Sequence, residues 1–82
     1  MEYQVEIKPR AVKDLKGLPL KDARQILEKV EAMQQDLAGD VKRLTNHTPE
    51  YRLRVGDYRV LFEVAGENVI IYRIRHRKDA YQ

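Results

Sequence analysis

The sequence predicts an α+β fold in the order β-α-α-β-β-β, a helical hairpin packed on one face of a small, mainly antiparallel four-stranded sheet. Three observations predict it. Residues 2–8 alternate polar and apolar, residues 9–37 carry apolar side chains at every third or fourth position, and residues 51–77 return to alternation broken twice by compact turns. At 82 residues the chain has room for one domain, spanning 1–82, and one core. Hydrophobic residues make up 43% and charged residues 35% with no low-complexity run, a composition that folds rather than stays disordered.

The elements follow in order. Tyr3, Val5 and Ile7 alternate with Glu2, Gln4, Glu6 and Lys8 as in a half-buried first strand. Pro9 suits the first turn of a helix, where its missing N–H is not needed, and Gly17 closes that short helix. From Pro19 to about Leu37, the positions Leu20, Ala23, Ile26/Leu27, Val30, Met33 and Leu37 make the apolar stripe of a longer helix ending near Ala38-Gly39-Asp40. Residues 41–50, with Thr45-Asn46-His47-Thr48-Pro49, read as a polar loop tacked down by Val41 and Leu44. Tyr51–Val55, Tyr58–Val64 and Val69 to about Arg77 are then three strands of an antiparallel meander, joined by turns at Gly56-Asp57 and Ala65-Gly66-Glu67-Asn68.

Composition excludes several classes of chemistry. There is no cysteine, hence no disulfide, no thiolate nucleophile and no sulfur-based zinc site. The N-terminus has neither the basic nor the apolar region of a signal peptide, and the longest purely apolar run is Val69-Ile70-Ile71-Tyr72, so a soluble, cytoplasmic protein with no membrane partner is expected. Net charge is +3, unevenly placed: residues 1–41 hold 7 Lys/Arg against 8 Asp/Glu, and residues 42–82 hold 9 against 5. A polyanion partner for the second half fits this asymmetry, as does an ordinary solvated surface.

Strand alternation sharpens the choice. Tyr51, Leu53, Val55, Tyr58, Val60, Phe62, Val64, Ile70, Tyr72, Ile74 and His76 are expected to look toward the helices. The opposite face then collects Arg52, Arg54, Arg59, Arg73, Arg75 and Arg77, with Glu63 as the strand carboxylate among them. Like charges on neighbouring strands repel, so an anion is expected to answer them. Arginine suits phosphate oxygens because its planar fork of donors is permanently charged. The competing reading is a solvated outer face paired with acidic residues of a partner. His76 reads as a core residue, and His47 has no partner at metal-ligand spacing, so neither a metal site nor a cofactor is expected. No glycine-rich phosphate loop, Gly-x-Ser-x-Gly or paired-carboxylate spacing occurs.

The stretch Tyr51-Arg52-Leu53-Arg54-Val55-Gly56-Asp57-Tyr58-Arg59-Val60 and the ending Arg75-His76-Arg77-Lys78-Asp79-Ala80-Tyr81 resemble the RelE/ParE superfamily of toxins. Length and element order match as well, so the resemblance covers nearly the whole chain and implies a RelE-like fold. It implies a toxin of a toxin–antitoxin pair, a ribosome-dependent endonuclease that cleaves mRNA in the decoding site without a metal. The implied partners are a cognate antitoxin, RelB-like or other, that wraps the domain, the ribosome with its mRNA, and operator DNA through the antitoxin complex alone. The implied catalytic residues are Arg52, Arg54, Arg59, Arg77 and Tyr81. The resemblance gives Arg73 and Arg75 no catalytic work, and these two, with Lys78, Lys42 and Arg43, are expected to bind RNA.

Cleavage of this kind proceeds by attack of a ribose 2′-hydroxyl on the adjacent phosphate, which needs a base, a leaving-group acid and donors for the developing charge. Arginines supply the donors but cannot act as bases. Some RelE-like enzymes carry lysines on the second strand, where Arg52 and Arg54 stand here. The resemblance therefore leaves Tyr81 as base or as a stacking platform for a nucleobase. Two alternatives stay open: a ParE-like inhibitor of DNA gyrase without nuclease activity, and a catalytically silent antitoxin-binding relative.

Overall fold

Alternation, helical periodicity and two glycine-led turns build the expected order of elements, with one strand added. The structure is a computed structural model that describes residues 1–80. Its elements are β1 (Gln4–Ile7), α1 (Pro9–Lys16), α2 (Leu20–Ala32), β2 (Val41–Arg43), β3 (Tyr51–Val55), β4 (Tyr58–Ala65) and β5 (Asn68–His76). The sheet runs β1-β5-β4-β3-β2, with β1 parallel to β5 and the other neighbours antiparallel. It thus has five strands rather than the four expected. The extra one, β2, was hidden in the polar stretch: three residues are too few to show alternation, and their pairing with β3 sets Lys42 opposite Arg52.

Pro9 occupies the first turn of α1, and Gly17 is its C-cap in an ordinary right-handed conformation, φ −83°. α2 stops at Ala32, five residues short of the expected Leu37. Past Met33 the backbone turns to the N-terminus instead: Tyr3 N–H donates to Gln34 O at 2.8 Å and Asp36 N–H to Met1 O at 2.9 Å. Asp36 and Leu37 take left-handed φ values of 54° and 57° to make that turn. Backbone groups satisfied in this way are no longer available to another helical turn.

The core lies between the helices and one face of the sheet, where Ala11, Ile26, Val30 and Met33 meet Leu53, Val55, Val60, Phe62, Val69, Ile71 and Ile74. Phe62 is fully buried and stacks on Tyr51 with ring centroids 5.4 Å apart. The expected split of β5 into faces needs correction. Val69 and Ile71 are buried in the core rather than standing with the arginines, and Tyr72 is exposed. Leu61 pairs with Arg73 but Phe62 pairs with Ile71, so Tyr72 is the extra residue of a bulge that switches the parity of β5 halfway along. Both hairpins turn through two residues, Gly56-Asp57 and Gly66-Glu67, with positive φ of 56° and 60° at the glycines alone, the pattern of type II′ turns.

β1 pairs with β5 only as far as Ile71, after which α1 takes over the edge. The Asp14 carboxylate accepts the Ile74 N–H at 2.9 Å and the Arg73 guanidinium through Nε at 2.8 Å and Nη2 at 3.2 Å. One side chain thereby covers the open edge and fixes an arginine. Burial works to raise the Asp14 pKa, but the hydrogen bonds from Arg73 and Ile74 and the attraction of Arg73 and Arg75 outweigh it, and the net shift is downward. A depressed carboxylate contributes stability above its unfolded pKa, about 3.9, and that contribution is lost as pH falls through the folded value. Asp14→Ala should therefore cost about 2 kcal/mol in urea unfolding at neutral pH, with the gap between native and variant closing in acid. A gap that is constant across the acid range would exclude this role.

Candidate functional site

On the face away from the helices, register places arginine directly against arginine. Arg54 on β3 is opposite Arg59 on β4, and Arg59 is opposite Arg75 on β5. The adjacent row reads Lys42, Arg52, Leu61, Arg73. Leu61, buried to 3% exposure on this outer face, gives the cations an apolar floor.

Lys42, Leu44, Arg52, Arg54, Arg59 and Arg77 line one cavity of about 260 Å³. Three of its arginines are held in place. The Arg52 side chain, only 15% exposed, donates through Nη1 to the Asp40 carbonyl at 2.8 Å and to its carboxylate at 3.2 Å. The same carbonyl accepts the Arg54 N–H at 2.9 Å, which ties the segment before β2 to β3. Gly39 makes that approach: its φ is 122°, and a Cβ there would lie 3.0 Å from Leu53 Cδ1. Arg59 folds over the first hairpin turn and donates through Nη1 to the carbonyls of Gly56 and Tyr58, each at 2.9 Å. Arg77 is drawn to the same turn, its N–H donating to Asp57 O at 2.7 Å and its Nε standing 3.8 Å from the Asp57 carboxylate. Arg54, by contrast, is exposed, and no carboxylate among the described residues lies within ion-pair distance of it.

The structure thus brings Arg52, Arg54, Arg59, Arg77 and Lys42 together around one cavity, which the other expected residues among those described do not line. Arg73 is engaged by Asp14 at the sheet edge. Arg75 lines a separate cavity with residues of α1. Arg43 turns toward the loop and pairs with Glu50 at 3.6 Å. Lys78 is exposed beyond β5, its N–H donating to His76 Nδ1 at 3.3 Å. Tyr81 lies outside the described residues. His76 is half-buried with its ring edge-on to Tyr58 at 5.8 Å. Tyr58 in turn donates its hydroxyl to Asp22 at 3.2 Å, and its pKa is raised by burial and by that hydrogen bond. His47 Nδ1 lies 2.9 Å from the Pro49 carbonyl.

Sequence reasoning missed Asp14 and Asp40, two of the carboxylates that position arginines. Each meets its partner across the fold, so no local spacing marks them. Among the described residues, no group of three or more His, Asp or Glu is placed to hold a metal ion, and no helix is long and apolar enough to cross a membrane.

A helical pair over a mainly antiparallel sheet, with a cationic cavity on the bare face, defines a small α+β protein with a concentrated basic site. Residues 5–81 match the family described as the ParE toxin of the type II toxin–antitoxin system parDE, and the chain belongs to this ParE/RelE toxin family. It is 39% identical over 75 residues to toxin RelE3 of Methanocaldococcus jannaschii, covering 85% of each chain. Among solved structures, it is similar to the archaeal RelE–RelB complex of Pyrococcus horikoshii, with TM-score 0.77, 31% identity and coverage of 98% of this chain and 100% of that one. The toxin–antitoxin complex RelBE2 of Mycobacterium tuberculosis shares the fold at TM-score 0.81 and 24% identity, covering 94% of this chain and 100% of that one.

Because Arg54 faces Arg59 without a compensating carboxylate, replacing it should relieve repulsion. Arg54→Thr is expected to raise the urea midpoint by the equivalent of about 0.5 kcal/mol, a gain that shrinks as salt is added. A lowered midpoint would mean that Arg54 stabilises the free protein.

Proposed function

We propose that the chain is the toxin of a toxin–antitoxin pair and cleaves mRNA on the ribosome, using the cationic cavity on the outer face of the sheet. The observation that carries this reading is the convergence of four arginines and Lys42 on one cavity, three of the arginines pre-set by hydrogen bonds or an ion pair. Guanidinium groups fixed before the substrate arrives stabilise charge on phosphate oxygens without reorganising during the reaction. Similarity to RelE-named relatives supports the same reading, and the RelE–RelB complex supports an antitoxin as partner.

In this mechanism the ribose 2′-oxygen forms a bond to the adjacent phosphorus while the bond from phosphorus to the 5′-oxygen breaks. A cyclic 2′,3′-phosphate is left on one fragment and a 5′-hydroxyl on the other. Arg52, Arg54, Arg59 and Arg77 hold the phosphate oxygens as negative charge builds. The 2′-hydroxyl proton must go to a base, a role guanidinium groups cannot fill and that we assign to Tyr81 on the strength of the family resemblance. Lys42 is the one cation of the cavity able to release a proton, and we assign it to the departing 5′-oxygen. The ribosome supplies the orientation of the message, and no metal is required by these steps.

A second reading is favoured by the family match, whose description names the ParE toxin: the alternative left open by the family resemblance, an inhibitor of DNA gyrase without nuclease activity. A translating extract separates the two. Codon-phased mRNA ends, lost on Tyr81→Ala and reduced about 10²-fold or more by Arg59→Ala or Arg77→Ala, are expected. Gyrase inhibition without mRNA ends would instead establish the second reading, and neither activity would indicate a silent relative.

A further inference from the structure

Arg75 closes the row that begins at Arg54, yet it does not line the cavity where the other arginines meet. It opens instead into a second cavity, about 480 Å³, at the edge where α1 passes β5; Arg10, Lys13, Asp14, Arg73 and His76 also line it. Its single carboxylate, Asp14, is already neutralised by Arg73. Arg10 and Lys13 stand one turn apart on α1, both exposed and neither with a carboxylate among the described residues within ion-pair distance. The cationic row therefore crosses the sheet perpendicular to the strands, spanning about 10 Å from β3 to β5, and continues over the edge onto a helix.

We infer that Arg75, Arg10 and Lys13 form a second phosphate-binding site for the same RNA strand, downstream or upstream of the scissile phosphate, while Arg73 serves the fold rather than the RNA. This rests on the reading of the outer face as an RNA site. A strand laid along the row meets Arg54 and Arg59 first, then Arg75, and reaches the two α1 cations only if it is long enough to turn the edge. A groove of one sign that tracks a backbone favours single-stranded RNA of any sequence. The site on α1 should accordingly contribute affinity and salt dependence, and no base preference.

The experiment measures binding of the full chain to 2′-O-methylated uridine oligomers, a trinucleotide and a dodecanucleotide, across a salt series. Double replacement Arg10→Ala with Lys13→Ala should lower the slope of log affinity against log salt by about 1.4 for the dodecanucleotide, since each single-strand phosphate contact contributes ~0.7. The trinucleotide slope should not change. Both positions are exposed helix sites where alanine is favourable, and Lys21→Ala with Arg24→Ala on α2 removes the same charge elsewhere and should leave both slopes as they are. Dodecanucleotide binding with an unchanged slope in the α1 variant overturns this inference alone, as does an equal drop in the α2 variant. A native chain that binds neither oligomer overturns the RNA reading and this inference with it. Should the α1 variant lose affinity for polyglutamate and not for RNA, the cavity is a site for an acidic protein segment and the assignment to RNA fails.

Discussion

Arginines set directly opposite one another on neighbouring strands repel, and much of this small fold is arranged around that cost. The row Arg54–Arg59–Arg75 cannot be relaxed by register, because slipping any strand by one residue would send its core side chains into water. The chain manages the repulsion by tethering rather than by pairing each cation with a carboxylate. Backbone carbonyls of Gly56 and Tyr58 take Arg59, Asp40 takes Arg52, and Asp14 draws Arg73 toward α1. Among the described residues, no carbonyl or carboxylate tethers the exposed Arg54 side chain. The proposed function rests on this surplus of positive charge, which a bound polyanion would offset.

The same tethers explain how flat, solvent-facing arginines become a shaped site. The first hairpin turn holds Arg59 through its carbonyls and Arg77 through Asp57, so two residues 18 positions apart in sequence share one anchor. On the other side, the short strand β2 brings Lys42 beside Arg52 and closes the cavity. A substitution in the Gly56-Asp57 turn therefore reaches the candidate chemistry without touching a substrate.

Much of this was legible from residue order. Period-2 alternation located β1, β3 and β4, the glycines located both hairpin turns, and the arginines were rightly gathered on one face of the sheet. Other features were not legible, for definable reasons. The bulge at Tyr72 breaks alternation within an apolar run, Val69 to Ile74 with one arginine, that reads equally well in either parity. β2 is too short to announce itself. The early end of α2 is decided by the N-terminal strand, whose Tyr3 N–H takes the Gln34 carbonyl across the chain, and local propensity has no means to report that. Asp14 and Asp40 are silent for the same reason.

The phosphate reading of the outer face is tested most directly by melting the protein with two dodecanucleotides of one sequence, a 2′-O-methyl RNA and a version with an uncharged methylphosphonate backbone. A ligand that binds only the folded state raises the melting temperature, by an amount that grows with the logarithm of its concentration over its Kd. If the arginine row is built for phosphates, the charged oligomer raises the melting temperature and the uncharged one leaves it unmoved. Equal shifts from both, or none from either, would contradict it.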